Sequence, residues 1–154
     1  EDGTSPVYGA NGIIGRYNQF NHSGPQLLLT CRGATCGTVN KTNEKCWITG
    51  NAMVVRPRGP EISLDYLAYY LATVANLSAF ITGAAQPQLT RTSLARVQLL
   101  IPPLTVQKQL VSQFDKLNLE IEAMKSVYQM KLEATAALRQ SILTRAFSGH
   151  LKVR

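Results

Sequence analysis

The side chains of this sequence that could support metal or covalent chemistry are three cysteines and two histidines. Cys31, Cys36 and Cys46 fall in one stretch, and with His22 they could bind zinc, but the spacings C-x4-C and C-x9-C lack the tight knuckle of common zinc sites. A Cys–His nucleophile would pair one of these thiols with His22 or His150, and no orienting residue is evident. We therefore interpret the cysteines as structural thiols and expect no metal site.

Motifs for nucleotide or hydrolytic chemistry are absent from the sequence. The glycines of Gly9–Gly15 are spaced by three, whereas a dinucleotide site needs G-x-G-x-x-G after a strand. No G-x-x-x-x-G-K-[ST] and no H-E-x-x-H occurs in the 154 residues, and Asp and Glu together number only nine. These absences predict a chain that is not an enzyme and has no cofactor of its own.

The charge of the chain favours a polyanionic partner, with nucleic acid as the first candidate. Sixteen Lys and Arg against nine Asp and Glu give a net charge of +7. Several basic residues stand among Gly, Asn, Gln and Thr, which suits contacts with phosphates and base edges, although solvated loop charge remains an open interpretation for each residue. The predicted DNA-contact residues, in the expected loops 9–18, 32–45 and 86–91, are Asn11, Arg16, Tyr17, Asn18, Arg32, Thr35, Lys41, Asn43, Lys45, Gln86 and Arg91.

The sequence also bears on location and completeness. No uninterrupted run of 18 apolar residues occurs, so no membrane partner is expected. An odd number of clustered cysteines favours a reducing compartment, and we expect a cytoplasmic protein. The chain begins with Glu1, without a methionine or a signal region, and we expect it to be part of a longer chain.

The elements that must position these residues change in character at Pro102 and Pro103. Before them, glycine is frequent and short apolar runs predict strands at 26–30, 46–49, 52–57 and 97–101. Ser63 is the expected N-cap of a helix that continues towards Gly83. The apolar face predicted for this helix comprises Leu64, Leu67, Ala68, Leu71, Val74 and Ala75. This mixture predicts an α+β domain.

The region after the two prolines predicts one long helix, from Thr105 to Phe147, followed by a stop at Gly149. At 1.5 Å per residue it would be roughly 65 Å long. Apolar residues recur at alternating spacings of four and three, which indicates a coiled-coil seam interrupted at Lys131 and Thr135. The seam residues are Leu110, Phe114, Leu117, Ile121, Met124, Tyr128, Leu138 and Ile142. Such a stripe needs another helix to cover it, in the same protein or in a partner.

Four stretches, taken in order, resemble the DNA-specificity (S) subunit of type I restriction–modification systems. The first runs from Pro6 to Gly15, with residues 28–37 after it. The second is Gly83–Leu89 with Leu94 and 97–103, and the third is Gln107-Lys108-Gln109. The last is 138–151, which is similar to the closing helix motif of the family. The likeness covers nearly the whole chain.

The resemblance implies a division of the chain into three parts. Residues 1–104 would be a mixed α/β DNA target recognition domain whose N-terminal part is missing, since the usual opening segment does not precede Pro6. Residues 105–147 would be the long spacer and dimerisation helix, and 148–154 a C-terminal tail. The family normally has two recognition domains whose spacer helices set the distance between two half-sites in DNA. The second half would come from the same chain or from homodimerisation.

The resemblance also implies a non-catalytic role in a prokaryotic complex. The chain would bind double-stranded DNA and direct methyltransferase (M) subunits, which use S-adenosylmethionine to methylate adenine, and a restriction (R) subunit to a bipartite site. Two alternatives remain open. The chain could be the C-terminal recognition tail of a single-chain restriction–methylation enzyme, or a helical assembly protein that does not recognise DNA.

Overall fold

The structure, a computed structural model, describes residues 3–10, 12–42 and 44–149. The strands in these residues are β1 Ser5–Gly9, β2 Gly12–Tyr17, β3 Gln26–Thr30, β4 Val39–Thr42, β5 Trp47–Ile48 and β6 Ala52–Val55. The helices are α1 Leu64–Thr73, α2 Arg91–Leu94 and α3 Leu104–Phe147, with a 3₁₀ turn at Leu77–Phe80. The predicted α+β class is confirmed. The chain divides into two units, residues 1–111 and 112–154.

The strands form two three-stranded sheets. In the first, with order β2-β1-β5, β1 pairs antiparallel with β2 and parallel with β5. Its register shifts between Val7 and Tyr8, which pair with Gly15 and Ile13, so that Ile14 is the extra residue of a β-bulge. In the second sheet, with order β4-β3-β6, both pairs are antiparallel.

The central strand β3 separates two hydrophobic cores. All five of its residues are buried. Leu27 and Leu29 pack into a cluster with residues of α1, whereas Leu28 packs with Cys46 and Ile48. Since successive residues of a strand point to opposite faces, β3 has a helix layer on one side and the first sheet on the other. A strand covered on both faces reads as a continuous apolar run, and its predicted bounds are confirmed.

Helix α1 begins as the sequence predicts and ends sooner. The Ser63 hydroxyl accepts a hydrogen bond from the Tyr66 amide at 3.4 Å, which confirms the N-cap. Leu67 and Leu71 are buried against β3. Because the helix stops at Thr73, Val74 becomes its C-cap and is exposed, and its assignment to the apolar face was wrong.

The prediction of a strand at 97–101 was also wrong, because this segment forms no regular secondary structure. Its apolar run lacks the alternation of a half-buried strand, and β3 already has neighbours on both edges. Leu99, Leu100 and Ile101 are exposed. The Leu100 carbonyl instead accepts a hydrogen bond from the Tyr66 hydroxyl at 2.7 Å. A side chain of α1 therefore supplies a hydrogen bond to the backbone of this segment, where a neighbouring strand would otherwise supply one.

The first turn of α3 is fixed to the α1 start by one buried amide. The Gln107 side chain is fully buried, with 0% exposure. Its Nε2 donates to the carbonyls of Glu61 and Pro102, both at 2.8 Å, and its Oε1 accepts from the Ser63 amide at 2.9 Å. All hydrogen-bonding atoms of the amide are thus used, which explains how a polar side chain is accommodated there.

The long helix agrees closely with its predicted range. It was expected from Thr105 and starts at Leu104, and it ends at Phe147 as predicted. Gly149 has a φ of +74°, a conformation that suits the expected glycine stop. None of the described helices is both long enough and apolar enough to span a bilayer.

Candidate nucleic-acid interface

The turn between β1 and β2 is tied to the loop that follows β3. The Ala10 carbonyl accepts hydrogen bonds from the hydroxyls of Thr30 and Thr35, both at 2.8 Å. Gly12, where the chain enters β2, has a φ of +78°, which favours glycine. Two of the stretches expected to contact DNA, distant in sequence, therefore lie side by side.

The third expected stretch joins the same loop through backbone hydrogen bonds. The Leu89 amide donates to the Cys31 carbonyl at 2.9 Å, and the Gly33 amide donates to the Pro87 carbonyl at 3.1 Å. We call the surface formed by Ala10, residues 31–37 and residues 86–89 the three-segment surface. It contains the predicted contacts Arg32, Thr35 and Gln86, of which Arg32 and Gln86 are exposed.

The Arg32 side chain is available for a ligand. Within the described part of the chain, its guanidinium has no hydrogen-bond or ion-pair partner. The backbone beneath it is held on both sides, by the Cys31 amide donating to the Asn51 carbonyl at 3.0 Å and by the Gly33 contact. An arginine on a fixed backbone can present its five donors to guanine or phosphate in one orientation.

Arg91 lies beside this surface, at the first residue of α2. Thr90 and Ser93 form a capping box in which each side chain binds the other's backbone amide, at 3.1 and 3.0 Å. Leu89, two residues before Arg91, is anchored to Cys31. Arg91 is exposed, so its charge adds to that of Arg32.

A second group of predicted contacts lies at the other end of β2. The Tyr17 and Trp47 rings meet edge to face with their centroids 5.3 Å apart. Lys45 Nζ lies over the Phe20 ring, 4.7 Å from its centroid. Arg16 Nη1 donates to the Thr4 carbonyl at 3.1 Å. Asn18 is exposed in the segment between them. The structure therefore divides the predicted contacts into two groups.

Two expected loops contain strands. Residues 9–18 were expected to form a loop and include β2, and residues 32–45 include β4. Their polar and glycine-rich sequences concealed the pairing of both strands with apolar neighbours.

Lys41 lies in β4 and forms an ion pair with Asp65 in the first turn of α1, so part of its charge is already compensated. Asn11 and Asn43 lie outside the described residues.

One thiol and two phenols have pKa values that burial raises. Burial raises the pKa of the Cys36 thiol, with nearby Cys31 adding to the effect, so Cys36 is a neutral thiol at neutral pH. Burial likewise raises the pKa values of Tyr8 and Tyr66. Among the described residues, no group of three or more His, Cys, Asp and Glu is arranged to hold a metal ion.

The predicted helix seam lies on an exposed stretch of α3. Leu117 and Met124 are 51% and 56% exposed, and Ile121 and Tyr128 are exposed as well. Leu110 is half-buried, Phe114 is exposed, and Leu138 and Ile142 continue the exposed row. A partner helix for this seam remains a prediction.

Sequence reasoning did not identify Phe20, Trp47 or Thr30 as residues of these surfaces. A signal was present in Lys45-Cys46-Trp47-Ile48, where a basic and an aromatic residue alternate with two apolar ones, as in a strand with one buried face. No local pattern could have shown the Thr30 hydroxyl bonding to Ala10, twenty residues away.

Comparison with known proteins gives consistent matches. The family described as "Type I restriction modification DNA specificity domain" matches residues 1–130. The "Type I restriction enzyme EcoprrI specificity subunit" of Escherichia coli is 30% identical over 126 residues, which cover 82% of this chain and 31% of that protein. A putative type I restriction enzyme specificity subunit of Haemophilus influenzae is 29% identical over 119 residues, covering 75% and 30%.

A solved structure shows the same fold. A chain from work on the complex assembly and conformational transition of the type I R-M system superposes with a TM-score of 0.78, at 24% identity, covering 98% of this chain and 40% of that one. The present chain thus spans about a third of the length of the curated relatives it matches.

Proposed function

Since this chain belongs to the family of type I restriction modification DNA specificity domains, we propose that it recognises one half of a bipartite sequence in double-stranded DNA. The non-catalytic role follows the relatives, which are named specificity subunits. Such relatives favour this function over a recognition tail of a single-chain enzyme and over an assembly protein that does not recognise DNA.

We further propose a division of labour along the chain. Residues 1–104 act as the target recognition domain, 105–147 as the spacer helix and 148–154 as a tail. Methyltransferase subunits, which would use S-adenosylmethionine, and a restriction subunit would carry out the chemistry in the prokaryotic cytoplasm. The second recognition half would come from the same protein or from a second copy.

The observation that carries this proposal is the three-segment surface. Ala10, the 31–37 loop and residues 86–89 are joined by hydrogen bonds of 2.8 to 3.1 Å, although they are far apart in sequence. Arg32, Gln86 and the neighbouring Arg91 are exposed there, and their side chains can bond to base edges and phosphates. A fixed backbone with polar side chains is suited to sequence recognition, because it limits the orientations in which these side chains can hydrogen-bond to a base.

The test is the binding of duplex DNA by the Arg32→Ala variant. The complete chain would be assembled with its methyltransferase partner, and its preferred sequence would be selected from a randomised duplex library. Loss of an arginine contact to a base costs about 1–3 kcal/mol, so we expect roughly ten-fold weaker binding of the selected duplex and weaker selection at one base position.

Arg58→Ala is the matched control, because Arg58 is an exposed arginine outside the predicted contacts. It should leave both affinity and preference unchanged. If Arg32→Ala binds the selected duplex as tightly as the unmodified chain, the three-segment surface does not contact DNA. A uniform loss across all sequences would instead assign Arg32 to a phosphate.

A further inference from the structure

The sheet β2-β1-β5 has an outer face whose side chains are aromatic and basic. Cys46 and Ile48 point inward, because both pack in the core with Leu28. Since strand residues alternate between faces, Lys45 and Trp47 point outward. The contacts of Trp47 with Tyr17 and of Lys45 with Phe20 place those two rings on the same side. We call Tyr17, Phe20, Lys45 and Trp47 the outer aromatic face.

Two of the three rings on this face are exposed. Tyr17 is 45% exposed and Phe20 46%, whereas Trp47 is half-buried. The Tyr17 and Trp47 rings meet edge to face, at 5.3 Å and 87°, and Tyr17 stays exposed in this contact. Gly15, in β2 beside Tyr17, has no heavy atom within 4 Å of the position that a Cβ would take. A flat group can therefore approach Tyr17 and Phe20 without displacing the chain.

The charge on this face is positive. Lys45 Nζ lies 4.7 Å from the Phe20 ring centre. The neighbouring acid, Glu44, is close to Tyr8, a residue that packs against the inner core. Among the described residues, Lys45 forms no ion pair. Its ammonium can thus meet a phosphate beside the rings.

We propose that the outer aromatic face binds unpaired DNA, with bases stacking on Tyr17 and Phe20 beside Trp47 and a phosphate contacting Lys45. Base–aromatic stacking with a basic flank is how proteins hold single strands without sequence preference. Bases inside a duplex have both faces covered by neighbouring pairs, so rings on this surface favour an unpaired strand. The activity is separate from duplex recognition by the three-segment surface.

The single tryptophan provides a direct readout, because Trp47 is the only one in the sequence. The complete chain would be titrated with oligothymidylate, with a blunt duplex of the same length and with inorganic polyphosphate, while tryptophan emission is recorded. We expect oligothymidylate to quench Trp47 emission at saturation and to bind at least ten-fold more tightly than the duplex. Polyphosphate should leave the emission unchanged, because it has charge and no bases.

Variants separate stacking from charge. Tyr17→Leu and Phe20→Leu should each weaken oligothymidylate binding about ten-fold, whereas Tyr17→Phe, which keeps the ring, should bind normally. Val74→Ala, an exposed apolar change on α1, should have no effect. Lys45→Gln should weaken binding several-fold and reduce its salt dependence, and Lys125→Gln, at an exposed lysine of α3 paired with Glu122, should not.

Three results would overturn the proposal. They are equal affinity for duplex and single strand, unchanged binding by both leucine variants, and tighter binding of oligouridylate than of oligothymidylate, which would indicate RNA. The Arg32→Ala variant distinguishes the two proposals. It should bind oligothymidylate normally. Failure of duplex recognition would therefore leave this inference unaffected, and failure of single-strand binding would leave the proposal of duplex recognition unaffected.

Discussion

Gln107 shows how much one side chain can contribute to the start of α3. Its buried amide bonds to Glu61, Ser63 and Pro102. Gln107→Leu would leave two carbonyls and one amide without partners. Each unsatisfied buried group costs about 1–3 kcal/mol, so we expect the free energy of unfolding to fall by about 3 kcal/mol or more, measured by urea titration.

The control for this prediction lies two residues along the same helix. Gln109 is exposed, and Gln109→Leu should change the free energy of unfolding by no more than about 0.5 kcal/mol. Equal effects of the two variants would show that Gln107 does not hold the helix start.

Because of Cys36, the free energy of unfolding should depend on pH in the alkaline range. Burial raises the pKa of its thiol in the folded state, so the folded chain holds this proton more tightly than the unfolded chain. The resulting stabilisation is complete below the ordinary thiol pKa and is lost as pH rises through the folded value. Cys36→Ser should therefore lose less stability than the unmodified chain when urea titrations are repeated from neutral to alkaline pH. The same loss in both proteins would contradict this assignment.

At the scale of elements, two hydroxyls couple the β1–β2 hairpin to the loop after β3. Thr30→Val combined with Thr35→Val keeps side-chain volume and removes both donors to Ala10. At about 1 kcal/mol for each hydrogen bond, we expect a stability loss of about 2 kcal/mol and weaker binding of duplex DNA, although neither hydroxyl is required to touch a base. Hydrogen exchange should accelerate more in β1 and β2 than in α1.

Thr92→Val is the control for this pair, because Thr92 is exposed in α2. It should alter neither exchange nor DNA affinity. If the double variant retains full affinity for the duplex, the hairpin and the loop act independently.

The elements that the sequence predicted well are those with a local cause. The centre of β3, Leu27 to Leu29, is apolar because both faces of this strand are covered, and Ser63 precedes α1 because its hydroxyl caps an amide. By contrast, β1 contains Pro6 and Gly9, and β4 is largely polar, so neither has the composition of a strand. Their pairing with β2 and β3 stabilises them, and single-sequence patterns do not show such partners.

The candidate site was predictable to a similar degree. The three stretches were found from charge and polarity, but their convergence on Ala10 and Cys31 depends on contacts across twenty or more residues. Lys41 shows the limit of charge as evidence, because a cation in a polar stretch proved to be paired with Asp65. The outer aromatic face was missed because its rings come from positions 17, 20 and 47.

For the whole molecule, the exposed seam of α3 predicts association. Leu117→Asp combined with Ile121→Asp places two charges in the row of apolar residues. Burying each side chain contributes about 1.5–3 kcal/mol, so a helix partner should bind at least a hundred-fold more weakly, as measured by sedimentation and by pull-down of the methyltransferase.

Leu119→Asp tests whether the seam, rather than any apolar residue of α3, is responsible. Leu119 is exposed but lies outside the alternating row, and its change should leave association intact. Unchanged sedimentation and pull-down of the double variant would show that another face of the helix makes the contact.

In the proposed contact with duplex DNA, the two hydroxyls at Ala10 also restrict which bases the hairpin turn can favour. A carbonyl oxygen has two lone pairs, and here Thr30 and Thr35 occupy both. This oxygen is therefore not available to accept from the amino groups of adenine or cytosine in the major groove. The exposed Arg32 offers only donors, so this part of the surface is biased towards bases that present acceptors and no amino group in the major groove, namely guanine through O6 and N7 and thymine through O4.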